Sequence, residues 1–306
     1  MYCESAYRPP WWLPAAWQTR LALQAVATPS WQTVELSLDG GRRARLDCIG
    51  SGDALVLLLP GFDADSRGVR VASVATALAQ AGIRVAVLNR SPIDSPAETD
   101  LLDACVRRLA SEWPRSLFGI LGLSLGGAQL LNWLSCQGEQ APLQAAAAVS
   151  VPFRYAVALK ALQHAPLRGY QKHLLQQRRA ALLASHGGNL PATLRKRIDG
   201  IDSLARFDGC ISAPLHGFAD LDALDSAASC LQRMTTVRVP SLIVQASDDP
   251  MAPPAALPRK GELSTYTTLE LARSGGHLGF VSGERPWQRG CWLEQRLVQW
   301  FTTRLR

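Results

Sequence analysis

Short apolar runs recur along the chain and alternate with segments whose apolar positions repeat at helical spacing. The apolar runs span residues 54–59, 83–88, 117–121, 145–151 and 240–246. Runs of this length with little alternation are typical of parallel strands, because helices cover both faces of a parallel sheet. The helical spacing between the runs predicts helices over residues 71–80, 100–112 and 126–136.

Two earlier segments, residues 33–38 and 44–49, alternate apolar and polar positions instead. The residues Asp39-Gly40-Gly41 separate them, which favours an antiparallel hairpin. A hairpin followed by strand–helix repeats predicts an α/β fold with a doubly wound, mostly parallel open sheet.

The alternation of apolar runs with helical segments stops between residues 153 and 238. This segment is rich in Gln, Arg and Leu, has helical periodicity and contains no convincing strand. It is too long for a loop without structure of its own, so we expect a helical cap over the C-terminal edge of the sheet. The sheet then resumes with residues 240–246 and 266–271, and a last helix is expected at 291–304. The expected division is a core of residues 1–152, a cap of 153–238 and a second core part of 239–306.

Basic residues are concentrated at the start of this cap. The whole chain carries a formal charge of +7, whereas residues 151–206 hold ten Lys and Arg against two Asp, which gives +8. The simpler interpretation is a solvated helical face. The alternative is a basic surface that meets an anionic membrane or an acidic substrate. Nucleic-acid binding is not expected, because no nucleic-acid fold motif accompanies the charge.

The seven cysteines are scattered and form no C-x-x-C pair. We therefore expect reduced thiols in a cytoplasmic protein, with no zinc site and no disulfide framework. No run of 18 apolar residues is present, and the first 20 residues lack the continuous apolar segment of a secretory signal.

The sequence G-L-S-L-G at residues 122–126 carries the strongest chemical signal. It follows a predicted strand and opens a predicted helix, which is the context that distinguishes a nucleophile elbow from a chance Gly/Ser turn. The small glycines allow a turn so sharp that the Ser124 hydroxyl projects above the sheet. The Leu125 N–H would then point at the oxyanion that forms during acyl transfer.

A serine hydroxyl needs a base, and in this type of fold the order along the chain is Ser, Asp, His. Four of the five histidines fall in or beside the cap, whereas His277 lies in the glycine-rich loop 274–280 after the last predicted strand. Either Asp248 or Asp249 could orient this imidazole, because both end the strand 240–246. Asp249 is favoured because it directly precedes the turn-making Pro250.

The second oxyanion donor is expected in the loop of residues 60–65, which we call the oxyanion loop. Phe62 N–H is the candidate, since Gly61 lets the backbone approach closely. No metal or organic cofactor is implied by this set of residues.

Several short motifs together resemble the YheT-like branch of the α/β-hydrolases, a family of esterases and of monoacylglycerol and phospholipid lipases. They are specific as a set, although most are not specific singly. They are Y-R-P-P-W-W-L at 7–13, W-Q-T at 17–19, E-T-D at 98–100, G-L-S-L-G-G at 122–127, A-P-L-H-G-F at 213–218, D-D-P at 248–250 and G-G-H-L-G-F at 275–280. The resemblance implies an α/β-hydrolase fold and assigns the catalytic triad to Ser124, Asp249 and His277.

Two positions depart from the family pattern. Pro60-Gly61 stands where the family has His-Gly, and Asn89-Arg90-Ser91-Pro92 stands where it has Asn-x-Arg-Gly. Both affect the expected mouth of the pocket. The resulting prediction is a serine hydrolase that cleaves short- to medium-chain carboxylic esters, including lipid esters. The alternatives are a non-catalytic binding protein on the same fold, and a thioesterase or peptidase that uses the same triad.

Overall fold

The computed structural model describes residues 1–14, 17–22, 29–62, 65–164, 167–185, 196 and 198–306. Within these residues, nine strands form one sheet in the order β1-β9-β8-β7-β6-β4-β5-β3-β2. The strands are β1 (Tyr2–Glu4), β2 (Gln32–Ser37), β3 (Arg43–Ile49), β4 (Ala54–Leu59), β5 (Arg84–Asn89), β6 (Leu117–Leu123), β7 (Ala145–Val149), β8 (Ser241–Ala246) and β9 (Thr267–Ala272). Only the β2–β3 and β3–β5 pairs within it are antiparallel. A separate small hairpin pairs β10 (Val281–Ser282) with β11 (Gly290–Cys291).

Ten α-helices are present in the described part of the chain. They are α1 (Gln18–Ala22), α2 (Val69–Gln80), α3 (Asp100–Glu112), α4 (Leu125–Gln137), α5 (Tyr155–Leu162), α6 (Arg168–Ser185), α7 (Leu204–Phe207), α8 (Ala213–Leu215), α9 (Leu221–Ala228) and α10 (Trp292–Arg304). A π-helical turn, Asp208–Ser212, joins α7 to α8.

Both faces of the sheet are covered, as the apolar runs predict. In β4, Leu55, Leu57 and Leu59 pack into one core with α3 and α4. The alternate residues Val56 and Leu58 pack into a second core with α2 and α10. A continuous apolar run is therefore needed, because successive side chains of a strand point to opposite faces.

The predicted fold class is confirmed, and the predicted elements agree with the observed ones to within about two residues. The hairpin is also confirmed, since a short turn at Asp39–Gly41 joins β2 to β3 with Gly40 at φ 73°. Among the strands, two features were not predicted. Tyr2–Glu4 adds a parallel edge strand beside β9, and the β10–β11 hairpin follows the last strand. Both are too short to show periodicity.

The described part of residues 153–238 is helical and lies in the chain between β7 and β8. It has a hydrophobic core of its own, and that core includes Phe62, Leu125 and Met251 from outside the segment. The cap therefore packs directly on residues around the candidate site. Its exact boundaries stay a prediction.

The six cysteines whose side chains the structure describes are free thiols. Burial raises the pKa of the Cys105 and Cys230 thiols to about 12, so both remain protonated and act as small buried apolar groups. The cytoplasmic location stays a prediction. Among the described helices, none combines the length and the apolar character needed to cross a membrane.

Candidate active site

Ser124 occupies the turn between β6 and α4, and its backbone is strained. Its φ of 51° and ψ of −118° lie in a region that side chains other than glycine rarely adopt. The surrounding backbone holds this conformation, because the Ser124 N–H donates to the Val149 carbonyl at 2.8 Å and the Ser124 carbonyl accepts from the Gly127 N–H at 2.9 Å. A side chain at residue 122 would lie 2.5 Å from the Gly126 carbonyl oxygen, which explains the small residues of the motif.

The three predicted triad residues meet at the C-terminal edge of the sheet. The Nε2 atom of His277 lies 2.9 Å from the Ser124 Oγ, and its Nδ1 lies 2.9 Å and 3.1 Å from the two carboxylate oxygens of Asp249. All three side chains are buried. Because a carboxylate only accepts hydrogen bonds, the ring proton belongs on Nδ1. Nε2 is then free to accept the serine proton, which is what a nucleophile and base need.

Asp249 is held by two donors in addition to the histidine. The Gln245 Nε2 donates to its Oδ2 at 3.1 Å, and the Met251 N–H donates to its Oδ1 at 2.8 Å. The Gln245 amide cannot be reversed, since its Oε1 accepts the buried Val151 N–H at 2.8 Å. Gln245 therefore fixes the plane in which the Asp249 carboxylate faces the imidazole.

Asp248, the other candidate acid, faces a different group. Its carboxylate accepts from the Ser274 hydroxyl at 2.9 Å and from the Gly276 N–H at 2.8 Å. Asp248 thus shapes the turn that leads into His277 and makes no hydrogen bond to the ring.

The N-terminal segment supports the backbone of His277. The Thr19 Oγ1 accepts the His277 N–H at 2.8 Å. A Cβ at residue 276 would lie 2.6 Å from the same hydroxyl, and one at residue 279 would lie 2.9 Å from the Gln18 side chain. Two glycines of the G-G-H-L-G motif, Gly276 and Gly279, are therefore required by the close approach of the W-Q-T segment.

The backbone after His277 is strained and is held by buried polar groups. Leu278 has a φ of 57°, which is in the left-handed region. Its N–H donates to the Ser150 Oγ at 2.9 Å, and its carbonyl accepts from the Arg70 Nε at 2.6 Å. Arg70 also donates to the Gly279 carbonyl and pairs with Glu294 at 2.5 Å. These contacts offset the cost of the strain and keep the imidazole in place.

The expected oxyanion donors lie beside the nucleophile. A Cβ on Gly61 would be 3.0 Å from the Ser124 Cβ, so a side chain at this position would crowd the nucleophile. Neither the Phe62 N–H nor the Leu125 N–H has a backbone hydrogen-bond partner in the described part of the chain. Two N–H groups without partners next to a serine hydroxyl are what an oxyanion hole requires. Their role as donors stays a prediction.

The C-terminal side of the oxyanion loop is anchored without the histidine that Pro60 replaces. Asp47 accepts from the Ser66 hydroxyl at 2.6 Å and from the Asn89 Nδ2 at 2.8 Å. The Asn89 Oδ1 in turn accepts the Ser66 N–H at 2.9 Å. The asparagine that this chain shares with the Asn-x-Arg-Gly pattern is thus a structural anchor. Residues 63–64 of the loop lie outside the described residues.

A cavity of about 560 Å³ opens above Ser124 and His277. Apolar side chains form most of its wall, among them Trp17, Phe62, Val69, Leu167, Met251 and Leu278. Arg70 also reaches the wall, but its guanidinium is occupied by Leu278, Gly279 and Glu294. The cavity is therefore suited to an uncharged apolar group.

Sequence reasoning missed Gln245, Thr19, Arg70 and Ser150, which hold the acid and the histidine. The sequence did point to Thr19, because this residue belongs to a motif shared with a known family. The other three carry no local pattern that points to the site.

Comparisons with known proteins agree with the fold. The model of the serine aminopeptidase S33 family matches residues 98–267, more than half of the chain. The putative esterase YheT of Escherichia coli is 31% identical over 211 residues, which are 68% of this chain and 62% of that protein. The mouse phospholipase ABHD3 is 27% identical over 259 residues, which are 80% of this chain and 62% of that protein. The chain thus spans less than two thirds of the length of these relatives.

Solved structures show the same fold at low sequence identity. An esterase of Pyrococcus furiosus has a TM-score of 0.58 at 13% identity, with 99% of this chain and 98% of that chain covered. The esterase domain of a Rhodothermus marinus protein has a TM-score of 0.55 at 16% identity, with 91% of this chain and all of that chain covered. The chain belongs to the YheT-like α/β-hydrolase family.

Proposed function

We propose that this protein is a serine hydrolase that cleaves carboxylic esters through an acyl-enzyme. The observation that supports this most is the 2.9 Å contact between the Ser124 Oγ and the His277 Nε2 at the floor of an apolar cavity. A buried serine, a correctly oriented imidazole and a space for the acyl group are the parts that acyl transfer needs.

In the proposed reaction, the Ser124 Oγ attacks the ester carbonyl while the His277 Nε2 takes the hydroxyl proton. Asp249 stabilises the imidazolium through the Nδ1–H bond and is not itself protonated. The Phe62 and Leu125 N–H groups stabilise the tetrahedral oxyanion, each by about 3 kcal/mol in comparable sites. His277 then protonates the leaving alcohol, and a water activated by the same nitrogen releases the acid.

An ester substrate is favoured over a peptide with a free N-terminus. An aminopeptidase needs an acidic group to bind the substrate ammonium, and none of the described residues that line the cavity carries a carboxylate. The relatives named as esterase and phospholipase also favour ester cleavage. Matched ester, thioester and amide substrates with the same acyl group separate these activities by their kcat/KM.

The acyl group is proposed to be a short to medium chain. The cavity volume of about 560 Å³ lies within the range of pockets that enclose small-molecule ligands. An ester panel of increasing acyl length should show kcat/KM rising with the first few methylenes and falling once the chain exceeds the cavity. A flat profile would contradict the assignment of this cavity to the acyl group.

Exposed basic residues of the cap support a preference for anionic or membrane-presented esters. Not all ten basic residues contribute, because Arg178 is buried against Asp208 and Arg206 pairs with Asp202. Arg195 and Arg197 lie outside the described residues. Exposed side chains remain at Arg154, Lys160, Arg168, Lys172 and Lys196. Vesicles with anionic lipid should raise turnover at low salt, and an equal effect of neutral vesicles would argue against this preference.

The enzymatic proposal is tested by a fluorophosphonate probe together with the ester panel. Wild-type protein should be labelled and should hydrolyse at least one ester, and Ser124→Ala should abolish both. Ser111→Ala, which changes an exposed serine of α3, is the matched control and should change neither. Folded wild-type protein that takes no label and turns over no ester would instead support a non-catalytic binding protein.

A further inference from the structure

A buried charged cluster lies inside the cap, where no part of the proposed reaction needs it. Asp208 is fully buried and Arg178 nearly so, and the two form an ion pair. The Tyr155 hydroxyl donates to the Asp208 Oδ2 at 2.6 Å, and the Ser212 hydroxyl donates to its Oδ1 at 2.8 Å. The cluster joins three segments of the cap, since Tyr155 begins α5, Arg178 belongs to α6 and Asp208 begins the π-helical turn.

Burying these groups is costly, so the cluster needs a structural or functional reason. Burial alone lowers the pKa of Arg178, but the charges and hydrogen bonds of Asp208 and Tyr155 together outweigh burial, and the net shift is upward. Burial also raises the pKa of Tyr155, and the negative charge of Asp208 adds to the rise. The tyrosine therefore stays a neutral donor and the arginine stays charged. A fully paired buried cluster of this kind orients its members rigidly.

The member that Asp208 orients most directly is Tyr155, and the ring of Tyr155 stacks on Phe62. The two ring centroids are 6.2 Å apart and the ring planes are 16° from parallel. Tyr155 is fully buried, and it shares the hydrophobic core of the cap with both Phe62 and Leu125. The position of the Phe62 side chain is therefore set by the cap.

The oxyanion loop has one anchor on the other side, where Ser66 binds Asp47 and Asn89. The Phe62 side chain has no polar group and cannot be held by hydrogen bonds. Packing against a ring that is itself fixed by a hydrogen bond supplies the missing restraint. Because oxyanion donors act only at short distances from the developing charge, a small shift of this backbone would be costly.

We propose that Tyr155 is a positioning residue, which holds the Phe62 N–H in the oxyanion hole through its stacked ring and is itself oriented by the buried Asp208–Arg178 pair. The cap is then part of the catalytic framework as well as a cover for the cavity. This inference rests on the proposed function, since it assumes that Phe62 is an oxyanion donor.

The test compares Tyr155→Leu, which removes the ring, with Tyr155→Phe, which keeps the ring and removes the hydroxyl. Tyr155→Leu should lower kcat about 10-fold or more and change KM less than about threefold, because only transition-state binding is affected. The inhibition constant of an alkylboronic acid, which forms a tetrahedral adduct with the serine, should rise by a similar factor. Tyr155→Phe should give a kcat between those of Tyr155→Leu and wild type, because it restores the stacked ring without the hydrogen bond that orients it, and its melting temperature should fall because Asp208 loses a partner.

Asp220→Ala is the matched control, since it removes the side chain that caps the N-terminus of α9 and so destabilises the cap without changing the Tyr155 cluster. It should lower the melting temperature and leave kcat and boronate affinity unchanged. The proposal is overturned if folded Tyr155→Leu keeps wild-type kcat and boronate affinity, or if kcat in all three variants simply follows their melting temperatures. A wild-type protein that hydrolyses no ester and takes no fluorophosphonate would overturn the proposed function itself, which is a different result.

Discussion

Replacing Gln245 by glutamate tests the hydrogen bond that orients Asp249, the proposed acid of the triad. The change is nearly isosteric, and the introduced carboxyl can still accept the Val151 N–H. Its second oxygen would face the Asp249 Oδ2 across the 3.1 Å that the amide now spans. Two carboxylates at 3.1 Å repel by about 5 kcal/mol at an effective dielectric constant of ~20. This repulsion corresponds to about four pH units, so the pKa of the introduced carboxyl should rise from its usual ~4.3 to about 8.

The activity of Gln245→Glu should therefore depend on pH in a way that the wild type does not. Below about pH 8 the introduced carboxyl is protonated and donates to Asp249 as the amide does, so kcat/KM should stay close to wild type. Above this pH both carboxylates are ionised, and the ratio of variant to wild-type kcat/KM should fall. The free energy of unfolding should depend on the ionisation of the same carboxyl. Because the pKa of the introduced carboxyl is raised in the folded protein, its contribution to the free energy of unfolding is complete below about pH 4.3. This contribution is lost at ~1.4 kcal/mol per pH unit up to about pH 8.

The assay is kcat/KM for one ester from pH 6 to 9.5, with thermal melts over a wider range. Gln245→Leu is the control, because it removes the donor at every pH and should lower activity throughout. A constant ratio of Gln245→Glu to wild type over this range would refute the reasoning, since it would mean that no carboxylate faces Asp249 from residue 245.

Further predictions concern the supports of the site. Thr19→Val removes the acceptor of the His277 N–H and should lower kcat about tenfold with little change in KM, as steady-state kinetics would show. Burial alone raises the pKa of Asp47, but the hydrogen bonds from Ser66, Thr33 and Asn89 together with the charge of Arg45 outweigh burial, so the pKa is lowered. The contribution of Asp47 to the free energy of unfolding is therefore present above pH 3.8 and is lost as the pH falls below this value. Asp47→Asn should thus be less stable than wild type at pH 7, and melts should show the difference shrinking towards pH 3. Gly126→Ala would place a Cβ against the carbonyls at the end of β4, so this variant should lose activity or fail to fold. Gly169→Ala is the control, because a Cβ there meets open space. Activity assays and thermal melts should find Gly169→Ala unchanged.

Local patterns predicted much of the fold. The run at residues 54–59 predicts a strand buried on both faces, and its alternate leucines do enter two different cores. The motif around Ser124 combines a strand, a sharp turn and a helix within 21 residues, so the sequence alone indicates a nucleophile elbow. These features are local, and their physical causes act between neighbouring residues.

The supports of the site depend on contacts between distant residues and leave no such pattern. Thr19 and His277 are 258 positions apart, and Arg70 and Leu278 are 208 apart. The environment of Arg178 could not be predicted from the sequence either. A count of charges includes Arg178 in a basic surface, although its side chain is buried against Asp208. Which polar residues become buried is decided by tertiary packing, and helical periodicity does not report it.

The central claim is that the Ser124 hydroxyl, activated by His277, attacks the substrate and carries its acyl group. The most direct measurement mixes the protein with a slowly hydrolysed ester, quenches it in acid and maps the added mass by peptide mass spectrometry. We expect an acyl group on the peptide that contains Ser124, no acyl group in Ser124→Ala, and a loss of turnover of about 10⁴-fold or more in that variant. Ester turnover that continues unchanged in Ser124→Ala, with no acyl group found on this peptide in the wild type, would contradict the central claim.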